Sequence, residues 1–180
     1  KHPKENPFQK YLEFLYDLKE LTEEEIKVYT GVGREFLNLI ETTNMQKVYK
    51  MPILYSFYNN GNIRMQVTEE EMLKAWKNFF DKGVNWRDFS ENISYEDYKK
   101  ITDKQHIKKV KQMPVKYLIS SGNGFFVEKD GYILALRKEL QDVIRDKIFV
   151  KQMKDILDYR TMEYYRRRYE GSGKMKRKGE

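Results

Sequence analysis

The chain contains no cysteine and only two histidines among its 180 residues. Without cysteine, a disulfide framework and a thiolate metal site are excluded, and a reducing compartment is favoured, so we expect a cytoplasmic protein. His2 and His106 lie far apart in the sequence, which argues against a histidine-based metal site or a catalytic triad. No apolar run approaches the roughly 20 residues that a membrane span needs, and no signal peptide opens the chain.

Signatures of an autonomous enzyme are also missing. The pattern Gly-x-x-x-x-Gly-Lys-Ser/Thr does not occur, and Gly31-x-Gly33 follows a predicted helix and lacks the third glycine of a dinucleotide fingerprint. Glu25-Ile26-Lys27 has the letters of a nuclease Glu-x-Lys, but it lies on a predicted helix instead of at a strand end. We therefore expect no catalytic residue, metal or cofactor in this chain, with a cryptic metal-dependent nuclease as a remote alternative.

The sequence is rich in charged residues. Charged residues make up 35% of the chain and the net charge is +7, which places most helices at the surface with one face buried. Residues 94–120 carry seven lysines against three carboxylates, whereas the first thirty residues lean acidic. Such an uneven distribution favours a polyanion that meets one face of the protein, and the alternative is that the charge serves solubility alone.

Hydrophobic periodicity and capping residues predict a chain of helices interrupted by short strands. Thr22 with Glu25 and Thr68 with Glu71 are capping boxes, and Ser94 with Asp97 marks a further helix start. The predicted helices cover residues 7–15, 22–30, 34–42, 51–58, 68–82, 103–121 (bent at a proline), 138–145 and 149–169. Alternating residues predict a strand over 63–67, and Lys129-Asp130-Gly131 predicts a hairpin turn.

From residue 46 onward the predicted order is helix, strand, helix, helix, hairpin, which is the order of a winged helix-turn-helix. We therefore predict a mainly α fold with a small β component and a winged-helix-like core. The predicted segments are an N-terminal helical segment (1–45), the winged-helix-like domain (46–137, with an insertion at 84–102), C-terminal helices (138–170) and a basic disordered tail (171–180). The alternative is a generic helical domain with one surface hairpin.

The candidate binding residues are basic. Lys100, Lys104, Lys108 and Lys111 are spaced four, four and three apart, which predicts one helix face. Lys99, Lys109 and Lys116 would widen this stripe, and Gln105 and His106 are candidates for reading base edges. We predict nucleic-acid contacts from Lys100, Lys104, Lys108, Lys111, Lys116, Lys129, Arg166 and Arg167. The alternatives are a solvated lysine face, and arginines that pair with the acidic N-terminal helices while the neighbouring tyrosines pack inward.

Several segments taken together point to a known family: Tyr29-Thr30-Gly31-Val32-Gly33-Arg34-Glu35-Phe36, Asn44-Met45-Gln46-Lys47-Val48-Tyr49-Lys50-Met51-Pro52, Phe57-Tyr58-Asn59-Asn60-Gly61, Asp158-Tyr159-Arg160-Thr161 and Tyr164-Tyr165-Arg166-Arg167-Arg168-Tyr169. They resemble the C-terminal region that follows the motor of bacterial DEAD/DEAH-box helicases of superfamily 2, the kind related to type III restriction subunits. The first residue, Lys1, also suggests a piece of a longer protein.

The resemblance implies a DNA-binding accessory domain of a larger helicase or restriction-type ATPase. ATP and Mg²⁺ would then be bound only by the motor domains of the same polypeptide, and no catalytic residue of the family carries over to this chain. The alternative is a protein-interaction or structural module that docks the motor domains or a partner subunit. DNA and those motor domains are the expected partners.

Overall fold

The computed structural model describes residues 11–29 and 31–176, with side chains up to residue 168, and these residues are mainly helical with two small antiparallel sheets. The helices are α1 (Tyr11–Asp17), α2 (Glu23–Val28), α3 (Gly31–Thr42), α4 (Lys50–Phe57), α5 (Glu69–Phe80), α6 (Tyr95–Lys99), α7 (Asp103–Val110), α8 (Lys116–Ser121) and α9 (Lys147–Lys176). A π-helical turn covers Lys111–Val115, and 3-10 turns cover Asn85–Asp88, Lys138–Leu140 and Val143–Arg145. The strands are β1 (Tyr58–Asn59), β2 (Asn62–Ile63), β3 (Gln66–Val67), β4 (Phe126–Val127) and β5 (Leu134–Leu136). The predicted fold class, mainly α with a small β component, is confirmed.

Capping side chains explain where the central helices begin. The Thr68 hydroxyl accepts the backbone N–H of Glu71, whose carboxylate accepts the Thr68 backbone N–H in return. Thr22 and Glu25 form the same reciprocal pair before α2, and Ser94 caps α6. These pairs satisfy backbone N–H groups that have no partner inside the helix. The helix starts predicted at these three positions are confirmed.

The segment from α4 to β5 has the predicted order of helix, strand, helix, helix and hairpin. β5 lies between β3 and β4 and pairs antiparallel with both, so the strand before α5 joins the hairpin in one sheet. The paired residues are Gln66 with Ala135, Val67 with Leu134, Phe126 with Leu136, and Val127 with Ala135. The segment 84–102 separates α5 from α7 and contains a 3-10 turn and α6.

Three local predictions are wrong. The strand predicted over 63–67 is divided, because β2 pairs with β1 in one sheet while β3 pairs with β5 in another. The helix predicted to begin at Arg34 begins at Gly31, whose positive φ of 58° suits glycine. The helix predicted over 138–145 consists of two 3-10 turns.

The two ends of the chain also differ from the prediction or lie outside it. α9 continues to Lys176, so the segment predicted as a disordered tail from Gly171 is helical up to that residue. Residues 177–180 lie outside the described residues. The predicted helix start at Asn6 and Pro7 lies outside them as well.

The buried residues form one hydrophobic cluster that extends from Leu12 to Leu157. α4 lies inside it, since six of its eight residues are buried: Met51, Pro52, Ile53, Leu54, Ser56 and Phe57. Trp76 is fully buried beside Phe80, at a ring-centroid distance of 4.7 Å, and donates its indole N–H to Nδ1 of His106 over 3.1 Å. In the described ranges no helix combines the length and the apolar character that crossing a membrane requires.

Arginines of α9 contact residues that are distant in the sequence. The Arg160 guanidinium donates to the backbone carbonyl oxygens of Glu41 and Thr43, at the end of α3. About two turns further along α9, Arg168 forms an ion pair with Asp88 at 2.8 Å, and Asp88 is 3% exposed. The last helix therefore holds both the N-terminal helices and the segment between α5 and α7.

Glu41 is a buried carboxyl group between α1 and α3. It is 1% exposed, and its Oε1 accepts the backbone N–H of Leu12 over 2.9 Å. Burial raises the pKa of Glu41 to about 7, because the charged form loses hydration. The hydrogen bond from Leu12 opposes this rise but does not cancel it. A group that joins two helices thus titrates near neutral pH.

Candidate nucleic-acid interface

The helix that precedes the hairpin runs from Asp103 to Ser121 through α7, a π-helical turn and α8. Its start is fixed by a capping box, in which Thr102 accepts the Gln105 backbone N–H and the Gln105 side chain accepts the Thr102 backbone N–H. Pro114 lies inside the π-helical turn and has no N–H to donate. The change in helix geometry therefore falls at the proline, where a bend was predicted.

Five exposed residues follow one another along this helix at four-residue spacing: Lys104, Lys108, Gln112, Lys116 and Ser120. Four residues advance an α-helix by about 400°, so such a row drifts around the helix by about 40° per step. A π turn takes up an additional residue and thus offsets part of this drift. We call these five residues the exposed row.

The exposed row is basic and lies in a stretch without carboxylates, since no Asp or Glu occurs from Lys104 to Val127. Lys104, Lys108 and Lys116 form no ion pair with the residues that the structure describes. Lys109, by contrast, points inward and places its ammonium 5.0 Å from the Tyr49 ring centroid and 4.8 Å from that of Phe89. Burial lowers the pKa of Lys109. Adjacent lysines on one helix thus have different roles.

The structure separates two of the predicted lysines from this row. Lys100 is not on the same helix: it is the C-terminal cap of α6, and it pairs with Asp97 at 3.4 Å. The predicted single face of Lys100, Lys104, Lys108 and Lys111 is therefore wrong, because the capping residue Thr102 begins a new helix after Lys100. Lys111 is on the correct helix, but its ammonium forms an ion pair with Glu69 at the start of α5.

The predicted wing contact, Lys129, lies in the hairpin turn as expected and is exposed. Its ammonium donates to the side-chain oxygen of Gln66 on β3 and lies 5.4 Å from the Tyr132 ring centroid. Lys129 therefore already has an intramolecular partner. To bind a phosphate, its ammonium would have to share or release the hydrogen bond with Gln66.

The C-terminal arginines are also paired within the protein. Arg166 and Arg167 contact the same carboxylate oxygen of Glu163, at 3.2 and 2.9 Å, and the Glu163 residue is 6% exposed. The predicted alternative of arginine pairing thus describes them better than a free phosphate clamp, and the carboxylate that they share belongs to α9 itself.

Gln105 and His106, the candidates for reading base edges, both have hydrogen-bond partners within the fold. The Gln105 side chain is part of the capping box, and His106 is 2% exposed. Burial lowers the pKa of His106, and its Nδ1 is occupied by the Trp76 N–H. Both residues therefore stabilise the fold.

The prediction missed the uncharged members of the exposed surface. Gln112 and Ser120 complete the exposed row, and Met113 and Tyr117 beside it are 39% and 55% exposed. The four-residue spacing that predicted Lys104 and Lys108 continues to Gln112, Lys116 and Ser120. That signal could have found the full row if it had been followed past Pro114.

Comparison with family models, with curated proteins and with solved structures finds no match for this chain. Within residues 11–29 and 31–176, no group of three or more His, Cys, Asp or Glu side chains is arranged to hold a metal ion. The geometry of the exposed row is thus the main guide to function.

Proposed function

We propose that the chain is a DNA-binding accessory domain that contacts the phosphate backbone with Lys104, Lys108 and Lys116. The observation that carries this proposal is the exposed row on the helix that precedes the hairpin, in a stretch free of carboxylates. In winged-helix proteins this is the helix that enters the major groove. Lys104, Lys108 and Lys116 are exposed and form no ion pair with the described residues. When such lysines neutralise phosphates, the counterions condensed on the DNA are released, and this release drives binding.

We further propose that the chain is part of a longer polypeptide. The chain would act in the cytoplasm as part of a helicase or restriction-type ATPase, with ATP hydrolysis confined to the motor domains of the same polypeptide. It would have no catalytic activity by itself. A Walker A motif upstream in the parent gene would support this context, and its absence from the parent gene would contradict it.

The binding experiment uses fluorescence anisotropy with a labelled DNA duplex at increasing salt. We expect micromolar or tighter affinity at about 50 mM salt, and a steep loss of affinity as salt rises. Replacing Lys104, Lys108 and Lys116 with glutamine should weaken binding at least tenfold. It should also reduce the salt slope by up to about 3 units, at about 0.9 per lost phosphate contact.

A matched control separates the position of charge from its amount. Replacing Lys82, Lys138 and Lys147 with glutamine changes the net charge equally, and these exposed lysines lie outside α7 and α8. The control triple variant should keep most of the affinity and most of the salt slope. Equal losses in both triple variants would refute a defined interface and leave only nonspecific attraction.

A second candidate function, docking of the motor domains, is favoured by α1 and the turn after it. Phe14, Tyr16 and Leu18 are 38%, 43% and 53% exposed within five residues. Clustered exposed apolar side chains often mark protein interfaces. Replacing all three with serine should abolish co-purification with the motor domains if these residues form the docking surface, and leave DNA binding by the isolated chain unchanged.

A further inference from the structure

Gln112 occupies the centre of the exposed row, between Lys108 and Lys116. Its amide is exposed and forms no hydrogen bond with the described part of the chain. Gln105 shows the contrast, since its amide is used by the capping box that begins α7. Gln112 is therefore a hydrogen-bonding group that the fold itself does not use.

The spacing of the row places Gln112 where a base reader would have to be. Lys108 and Lys116 are eight residues apart, on either side of Gln112, and the π-helical turn lies between them. The major groove of B-DNA is about 12 Å wide and admits an α-helix. With these two lysines on phosphates, a side chain midway between them on the same face is directed toward the base edges.

An exposed glutamine amide offers a donor and an acceptor side by side. In the major groove this pair matches the N7 acceptor and the N6 donor of adenine, whereas guanine presents two acceptors. Met113 follows Gln112 in the chain and Tyr117 follows Lys116, and both apolar side chains are exposed, at 39% and 55%. Apolar side chains contact the C5-methyl group of thymine, which is the partner of adenine.

We propose that Gln112 reads adenine in the major groove of duplex DNA, and that Met113 and Tyr117 contact the thymine methyl groups beside it. This inference rests on the proposed DNA binding and adds to it a preference for A·T base pairs. Lys104, Lys108 and Lys116 supply affinity without base discrimination, and Gln112 supplies the selectivity.

The test compares three DNA duplexes whose bases differ in one functional group at the major-groove edge. One duplex contains mixed sequence rich in A·T pairs, a second has the same sequence with 7-deazaadenine in place of adenine, and a third has uracil in place of thymine. We expect the wild-type chain to bind the first duplex at least about fivefold more tightly than the second, because the N7 acceptor is lost. The third duplex should also bind more weakly.

Gln112→Ala should remove the difference between the adenine and 7-deazaadenine duplexes. Its affinity for the 7-deazaadenine duplex should fall less than its affinity for the adenine duplex, because only the hydrogen bond with the adenine N6 group is lost there. Its salt slope should equal that of the wild type, since the lysines remain. Gln46→Ala is the matched control, because Gln46 is exposed and lies outside the helix. This variant should keep the full discrimination. Equal thermal midpoints of the two variants and the wild type would show that the fold is retained.

The outcomes distinguish this inference from the proposed function. Salt-dependent binding with equal affinity for all three duplexes would overturn the role of Gln112 and leave the proposed function intact. Tighter binding to single-stranded DNA than to any duplex would also overturn it, since the groove geometry would not apply. No binding to DNA at low salt would overturn both.

Discussion

Glu41 gives a prediction whose magnitude can be worked out from the structure. Its pKa of about 7 lies well above its ordinary value of 4.5, because the carboxyl group is buried between α1 and α3. The folded state therefore binds a proton more tightly than the unfolded state. The stabilising contribution is complete below about pH 4.5, is lost as pH rises toward 7, and is absent above that.

A shift of this size corresponds to about 3 kcal/mol of unfolding free energy, since each unit of pKa is worth about 1.4 kcal/mol. Glu41→Gln removes the titration while keeping an oxygen that can accept the Leu12 N–H. The stability difference between variant and wild type should therefore move in favour of the variant by about 2 to 3 kcal/mol between pH 5 and pH 8. For a chain of this length that is about 5 to 10 °C in the relative melting temperature.

The assay is urea unfolding of both proteins at several pH values, and the quantity compared is the difference between them, so that other titrating groups cancel. Glu35→Gln is the matched control, because it makes the same change at an exposed position of the same helix. For Glu35→Gln, the difference in unfolding free energy from the wild type should not rise between pH 5 and pH 8. A constant difference between Glu41→Gln and the wild type from pH 5 to pH 8 would refute the argument.

Three further predictions concern packing and pairing. Lys109→Met should leave the melting temperature unchanged or raise it by a few degrees and should leave DNA affinity within about twofold, because this ammonium is half-buried over aromatic rings. Gly122→Ala should lower the free energy of unfolding, measured in urea, by at least about 2 kcal/mol, since its methyl group would overlap the preceding helical turn. Gly124→Ala is the control, because its methyl group would meet no atom within 4 Å. It should lower the unfolding free energy by only about 1 kcal/mol, owing to the positive φ of Gly124. Arg168→Gln should lower the unfolding free energy by about 2 kcal/mol at neutral pH, because the buried Asp88 loses its ion-pair partner. The loss should shrink as the pH falls, because Asp88, whose pKa is raised by burial, takes up a proton.

Local signals in the sequence predicted the elements that depend on neighbouring residues. Thr68 and Glu71 lie three residues apart, so their reciprocal hydrogen bonds could be recognised without any tertiary information. The same holds for the hairpin turn at Asp130 and Gly131 and for the interruption at Pro114. These signals sufficed to predict a mainly α fold with a small β component.

The ion pairs of Lys111 and Arg168 could not be predicted, because their partners are distant in the sequence. Lys111 pairs with Glu69, 42 residues away, and Arg168 pairs with Asp88 across the chain. Lys100 is a different case, since Thr102 and Gln105 form a capping box whose pattern is visible in the sequence. That pattern separates Lys100 from the helix and would have corrected the predicted lysine face.

The anchoring of α9 has a consequence for how the chain is made. A ribosome releases α3 and α4 before it has made α9, the helix that covers them through Arg160 and buried residues such as Phe149 and Leu157. Until α9 is made, the apolar faces of α3 and α4 are open to water, and exposed apolar surface makes a folding chain prone to aggregation. Premature termination anywhere before α9 would therefore yield an aggregation-prone product and not a smaller working domain.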